Sequence, residues 1–274
     1  MKDFAKLCLP TMSVRNYTEA QTKYDGSKPG ITTQWRGQHT PMRTHPVFYG
    51  FHQLADCHPT IDKMNYLKPD LSKVKIDRFG LNNNYIVLQG AYTELVKTMP
   101  SKTFNELKQY LLSKGFQVVC LGKTVNHTGH ANIAAKAKVN IDYDFTDTIN
   151  LIDKTSLTES AKIIEGAKLF VGMDGGLVHL TGHTDTPIVA GFTFASPDHL
   201  MPIRNNIIGY KTYPVVPEEN LGCRFCQTKG VLYYDHDFRD CLYGPEDYMC
   251  AKQMSTEKFI HQIEKVLNEH GISV

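Results

Sequence analysis

A run of ten residues, Val171-Gly-Met-Asp-Gly-Gly-Leu-Val-His-Leu180, constrains this chain more than any other segment. The apolar stretch Leu169 to Met173 stops at Asp174; Gly175 and Gly176 follow, and a helix-competent segment begins. A strand that turns through glycines into a helix aims backbone N–H groups and the positive end of a helix dipole at one point, which suits a diphosphate. Asp174 and His179 stand at the rim of that point, where they can meet a sugar or a ribose. A plain helix cap and a plain turn would account for the same spacing, so the surrounding chain decides.

From residue 85 onward the chain alternates short apolar strands with amphipathic helices. Tyr85–Gln89 and Gln117–Leu121 are expected strands, nearly continuous in apolar character, as in a parallel sheet covered on both faces. Between them Ser101–Lys114 is an expected helix, with Ser101 as its cap, Phe104, Leu107 and Leu111 on one face, and Gly115 at its stop. A third strand is expected near Val139–Tyr143. Ser156-Leu-Thr-Glu159 matches a capping box, with Leu157, Ala161 and Ile164 at helical spacing behind it. Leu169–Met173 and Ile188–Phe192 are further strands, and Ser255–His270 is a final helix with Phe259, Ile263 and Val266 on one face. The fold class is therefore α/β with a Rossmann-like parallel sheet. Ligands of such sheets bind beyond the carboxyl ends of the strands, where Gly90–Lys97, Gly122–Lys123, Asp174–His179 and Phe194–Asp198 all fall.

Residues 1–80 differ: they are rich in Pro, Thr, His and Asn, and only short pieces such as Val47–Leu54 have regular character. We divide the chain into this short irregular amino-terminal, acceptor-side region and a nucleotide-sugar binding domain over 81–274. Four of the seven cysteines, Cys223, Cys226, Cys241 and Cys250, cluster as C-x2-C-x14-C-x8-C within 221–251. With no export signal recognisable at the amino end, that cluster reads as a structural metal finger for zinc or iron, with reduced cysteines in a compact loop as the alternative. A net charge of +2 gives no strong field for nucleic acid or an anionic membrane, and no apolar run is long enough to span a bilayer. The expected location is the cytoplasm.

Several blocks together resemble the carboxy-terminal, donor-binding half of the family 9 glycosyltransferases, which adopt the GT-B fold and include ADP-heptose heptosyltransferases. Tyr85-Ile-Val-Leu-Gln-Gly90 with Lys97-Thr-Met-Pro100 resembles the family's strand, glycine and Lys-x-Trp-Pro segment, with Met99 in place of Trp. Asp153-Lys-Thr-Ser-Leu157 resembles its Gly-Lys-Thr-Ser-Leu block, and Asp174-Gly-Gly-Leu-Val-His179 its Asp-Ser/Thr-Gly-x-x-His signature. The cysteine cluster before a final helix also recurs among relatives.

The resemblance implies an inverting transferase that moves a sugar from a nucleotide-diphospho-sugar to a hydroxyl of a glycan, a protein or another acceptor. It assigns Thr93 and Lys97 to the donor diphosphate. Thr155 and Ser156 fall near the nucleoside, and Asp174, Gly175, Gly176 and His179 line the diphosphate and sugar. The family's early acidic base is not recognisable; Asp25 and Asp56 are candidates on chemistry alone. The rival expectation is a non-catalytic nucleotide-sugar binding subunit that works with a partner chain or as a homo-oligomer.

Overall fold

A computed structural model of the chain describes residues 66–90, 95–123, 142–226 and 248–272. Val47–Leu54, Asp25, Asp56, Thr93 and Cys241 lie outside the described residues. Within them the strands are β1 (Tyr85–Leu88), β2 (Gln117–Cys120), β3 (Ile149–Asn150), β4 (Leu169–Met173), β5 (Ile188–Gly191), β6 (Ile203–Arg204), β7 (Ile207–Ile208) and β8 (Thr212–Val215). All but β6 and β7 form one sheet in the order β3-β2-β1-β4-β5-β8, with every neighbouring pair parallel. β6 and β7 make a separate antiparallel pair. The third described strand is Ile149–Asn150; of the strand expected at Val139–Tyr143, residues 139–141 lie outside the described residues, and Asp142 and Tyr143 are irregular.

The helices are α1 (Ser101–Ser113), α2 (Leu157–Gly166), α3 (Gly176–Gly182), α4 (Pro197–Leu200), α5 (Met249–Lys252) and α6 (Thr256–Glu269). Side chains of successive strand residues point to opposite faces of a sheet. Ile86, Leu88, Val118, Leu169 and Val171 accordingly pack with Phe104, Leu107 and Leu111 of α1 and with Phe259, Ile263 and Val266 of α6. Tyr85, Val87, Val119 and Phe170 face the other way, onto Ile163 and Ile164 of α2 and Val178 of α3. The helix after β1 thus lies on one face, and those after β3 and β4 lie on the other. The reversal between β1 and β4 is the switch point at which doubly wound sheets open a crevice for ligands.

Local chemistry explains most boundaries. Ser156 accepts from the backbone N–H of Glu159 while the Glu159 carboxylate accepts from that of Ser156, a complete capping box at the start of α2. Leu157, expected on the buried face of that helix, is 67% exposed; Ser160, Ala161, Ile163 and Ile164 form the buried face. Ser101 is not the cap of α1: it is the first helical residue, and its hydroxyl accepts from the Asp142 N–H. That bond is one of several fixing residues 142–146 against α1. Tyr143 stacks on Phe104 with ring centroids 4.3 Å apart, and the fully buried Lys108 ammonium pairs with Asp144. Lysine is almost never buried without such a partner. No helix among the described residues is long and apolar enough to cross a membrane.

Gly90, directly after β1, sits in this same contact: a Cβ there would lie 2.6 Å from Phe104 Cδ2 and 2.7 Å from Tyr143 Cε2. Gly90→Ala is expected to destabilise the fold by about 1–3 kcal/mol, as overpacked cores do. Urea unfolding checks this, and an unchanged midpoint would contradict it.

Candidate functional site

Lys97 and Asp174 meet at the switch point. Lys97 ends the 3₁₀ turn Leu95–Lys97 that follows β1, and Asp174 follows β4. The Asp174 N–H donates to the Gly191 carbonyl at 2.8 Å, so the adjoining strand holds its backbone. The Lys97 ammonium lies 3.2 Å from the Asp174 carboxylate, with side-chain exposures of 17% and 5%. It also stands 5.1 Å from the centroid of the Phe194 ring, a cation–π approach. The two residues assigned separately to a diphosphate therefore contact one another first. The pair presents a fixed cation beside a carboxylate, not two independent ligand contacts.

His179 lies on α3 and is partly buried; its Nδ1 is 3.1 Å from the Tyr66 hydroxyl. Burial pushes the imidazole below its ordinary value, opposed by the Asp174 carboxylate and reinforced by Lys97 and His183. The Tyr66 hydroxyl is held well above the usual phenol range by burial and by Asp174, so it stays protonated. Tyr66 was invisible to sequence reasoning. It belongs to no motif, it precedes β1 by almost twenty residues, and its partner is 113 positions away. Phe194 carried a weak signal, as part of the segment beyond β5.

Gly175 and Gly176 do not turn through left-handed backbone. Gly175 is extended at φ 169° and ψ −172°, and its carbonyl accepts from Val178 and His179. α3 itself spans only seven residues. Thr155 and Ser156 sit beyond β3, three strand positions from β4. Thr155 Oγ1 is 2.8 Å from Ser160 Oγ, and the Ser156 hydroxyl serves the cap.

The cysteine region adjoins the lysine. Val96 and Phe194 share an apolar cluster with Tyr248, Cys250 and Ala251, against which Cys226 and Leu221 pack. Thr193 Oγ1 donates to the Val96 carbonyl at 2.7 Å, fastening the same turn. Among the described residues no three His, Cys, Asp or Glu side chains converge as a metal ion requires, and the fourth cysteine, Cys241, lies outside them.

The sequence profile of glycosyltransferase family 9 (heptosyltransferase) matches residues 32–227. The chain belongs to that family. The match starts well before Tyr85, so the family pattern reaches into the region that reads as irregular. Among curated family proteins, lipopolysaccharide heptosyltransferase 3 of Escherichia coli is 23% identical over 138 residues, 50% of this chain and 39% of its own length. Lipopolysaccharide heptosyltransferase 2 of Salmonella typhimurium is 31% identical over 114 residues, 42% of this chain and 32% of its own. This chain thus spans less than half the length of these relatives. Among solved structures, the iron-containing dodecameric glycosyltransferase TibC of enterotoxigenic E. coli superposes with a TM-score of 0.65 at 19% identity, over 84% of this chain and 55% of its own. A family 9 glycosyltransferase of Veillonella parvula gives 0.56 at 16% identity, over 83% and 61%. At these identities the likeness shows a shared fold.

The depressed basicity of His179 has a consequence for stability. A histidine whose folded value lies below its unfolded value of about 6.5 binds protons preferentially in the unfolded chain. Stability is then full above that value and falls as pH drops below it. Thermal unfolding of the wild type is expected to weaken from neutral pH to about pH 5, and His179→Gln is expected to flatten part of that slope. Identical slopes in the two proteins would contradict a neutral, buried His179.

Proposed function

We propose that this family 9 chain binds a nucleotide-diphospho-sugar at the β1–β4 switch point and supports inverting transfer of the sugar to a hydroxyl acceptor. The observation that carries this reading is the Lys97–Asp174 pair, a positioned cation where doubly wound sheets bind phosphates. Lysine is a compact, strongly hydrated point charge suited to a phosphoryl oxygen. In the reaction the acceptor oxygen bonds to the anomeric carbon as the bond from that carbon to the phosphate oxygen breaks. The nucleoside diphosphate leaves with the electron pair, and Lys97 meets the charge that develops on it. Asp174 orients the ammonium and faces the donor sugar. Thr155 and Ser156 border the nucleoside end: β3 lies two places from β1, roughly 10 Å at about 4.8 Å per strand. Thr93, Gly175, Gly176 and His179 complete the donor contacts. The acceptor's proton goes to a carboxylate, with Asp25 and Asp56 the candidates. ADP-heptose is the donor to test first, because TibC is described in complex with ADP-D-beta-D-heptose.

Thermal unfolding against ADP, GDP, UDP and CDP tests the donor reading. A ligand bound only to the folded state adds about 2.7 kcal/mol at 100 times its dissociation constant. A selective rise with ADP is expected, and Lys97→Ala is expected to weaken ADP binding by about 1.5–3 kcal/mol, the value of a charge-assisted hydrogen bond. No response to any of the four nucleotides would overturn the proposal. Nucleotide binding without donor turnover would favour the non-catalytic binding subunit.

The cysteines Cys223, Cys226, Cys241 and Cys250 are proposed to hold a structural iron or zinc ion. Their spacing suits four thiolates, and TibC is described as iron-containing and dodecameric. Assembly of this chain into a homo-oligomer is part of the same proposal. Elemental analysis of the purified protein is expected to find about one metal ion per chain, and Cys250→Ser is expected to lose it. A metal-free wild type would contradict this.

A further inference from the structure

We propose that Tyr66 is a positioning residue: its hydroxyl donates to His179 Nδ1 and thereby fixes the proton of the neutral ring on Nε2, the edge turned away from Tyr66. The reading rests on the donor site proposed above, because it makes His179 a neutral hydrogen-bond donor toward the bound diphospho-sugar.

The contact is built, not incidental. Tyr66 arrives on a segment tied down at three consecutive residues. The Tyr66 N–H donates to the Ile203 carbonyl at 3.0 Å, His183 Nδ1 lies 2.7 Å from the Leu67 carbonyl oxygen, and the Lys68 ammonium pairs with Asp185. The Tyr66 ring packs on His183 at 4.8 Å between centroids. A Cβ on Gly182 would come within 2.8 Å of Tyr66 Cδ2, so α3 leaves room for this ring. What these contacts deliver to the site is one hydroxyl, 3.1 Å from one ring nitrogen.

The chemistry around the contact favours the proposed direction. The charged and titratable groups acting on His179 are Asp174, Lys97 and His183, with Tyr66 in direct contact. Burial, against the pull of Asp174 and with Lys97 and His183 beside it, favours the neutral imidazole, which carries one N–H only. A phenol that burial and Asp174 keep protonated has a proton to give, and the proposed bond gives it to Nδ1. With Nδ1 accepting it, the ring proton stands on Nε2. Fixing a histidine tautomer through the nitrogen that does not face the ligand is a general device of metal and catalytic histidines.

The test needs no donor. Long-range proton–nitrogen NMR spectra of protein labelled with nitrogen-15 in its 12 histidines report each ring's tautomer, with His179→Gln identifying the signal. The wild type is expected to show His179 as the Nε2–H form. Tyr66→Phe keeps the ring and its packing, and is expected to yield a mixture of tautomers. Lys68→Ala, which loosens the same segment without touching the hydroxyl, is expected to leave the signal unchanged. An Nδ1–H signal in the wild type would overturn the proposal, as would an unaltered tautomer in Tyr66→Phe. An equal change in Lys68→Ala would also overturn it, by assigning the effect to the segment's packing. The second readout is ADP affinity: Tyr66→Phe is expected to lose on the order of tenfold, about 1.4 kcal/mol. A fixed tautomer in a protein that binds no nucleotide would refute the donor site and leave the tyrosine's role on His179 standing.

Discussion

The parallel pairing of β1 with β4 is the constraint on which the rest of the site depends. Val87 opposite Phe170 and Leu88 opposite Val171 set the register. The ladder runs one residue beyond β1, because the Gln89 N–H donates to the Val171 carbonyl at 2.9 Å. The buried Gln89 side chain then crosses to the neighbouring strand, where its Oε1 accepts from the Met173 N–H at 3.4 Å. A Cβ at Gly172 would meet that oxygen at 2.7 Å, so a glycine in the middle of β4 is what admits the crossing amide. The carboxyl ends of the two strands are thereby locked together just before the chain reaches Asp174. Distances at the site follow from this lock, since strands about 4.8 Å apart bring their outgoing loops into contact.

The turn that carries Lys97 is braced on its far side by the cysteine segment. Val96 and Phe194 lie in one cluster with Cys250 and Tyr248, and Phe194 is also the ring beneath the lysine ammonium. A displacement of α5 therefore acts on the position of Lys97 through one layer of side chains. Through that layer the proposed metal finger would brace the proposed donor site. A loop region with little apolar material of its own becomes a firm wall when it is cross-linked by thiolates.

Features legible in the sequence were those set by local chemistry. β4 falls on Leu169–Met173 as its unbroken apolar run indicates, the Ser156–Glu159 cap forms as spaced, and Phe259, Ile263 and Val266 are fully buried along α6. Lys97, Asp174 and His179 stand out in the sequence because each lies in a short motif beyond a strand. Errors arose where a tertiary contact decided the outcome. Ser101 gave up capping to accept from Asp142, 41 residues away. β3 has two residues, too few for any pattern, and exists because Val119 and Cys120 supply a partner. Tyr66 reaches the site through the backbone and side-chain ties of residues 66–68, none of which leaves a periodicity or a motif.

In the proposed donor site, the ion pair itself gives a reason for a carboxylate in a site for an anion. The Lys97 side chain is largely withdrawn from solvent, and taking an ammonium out of water is costly without a partner. Asp174, held by its own backbone bond to Gly191, offsets that cost and fixes the direction of the ammonium. Phe194 adds attraction without adding charge. A cation oriented in this way need not reorganise when charge develops on a leaving group, and that preorganisation is the main source of electrostatic catalysis. Asp174 also repels the very anion the site is to hold, so neutral donors close by are useful to it. On the proposed reading, a neutral His179 held by Tyr66 would add such a donor without a second cation to compete with Lys97 for the carboxylate.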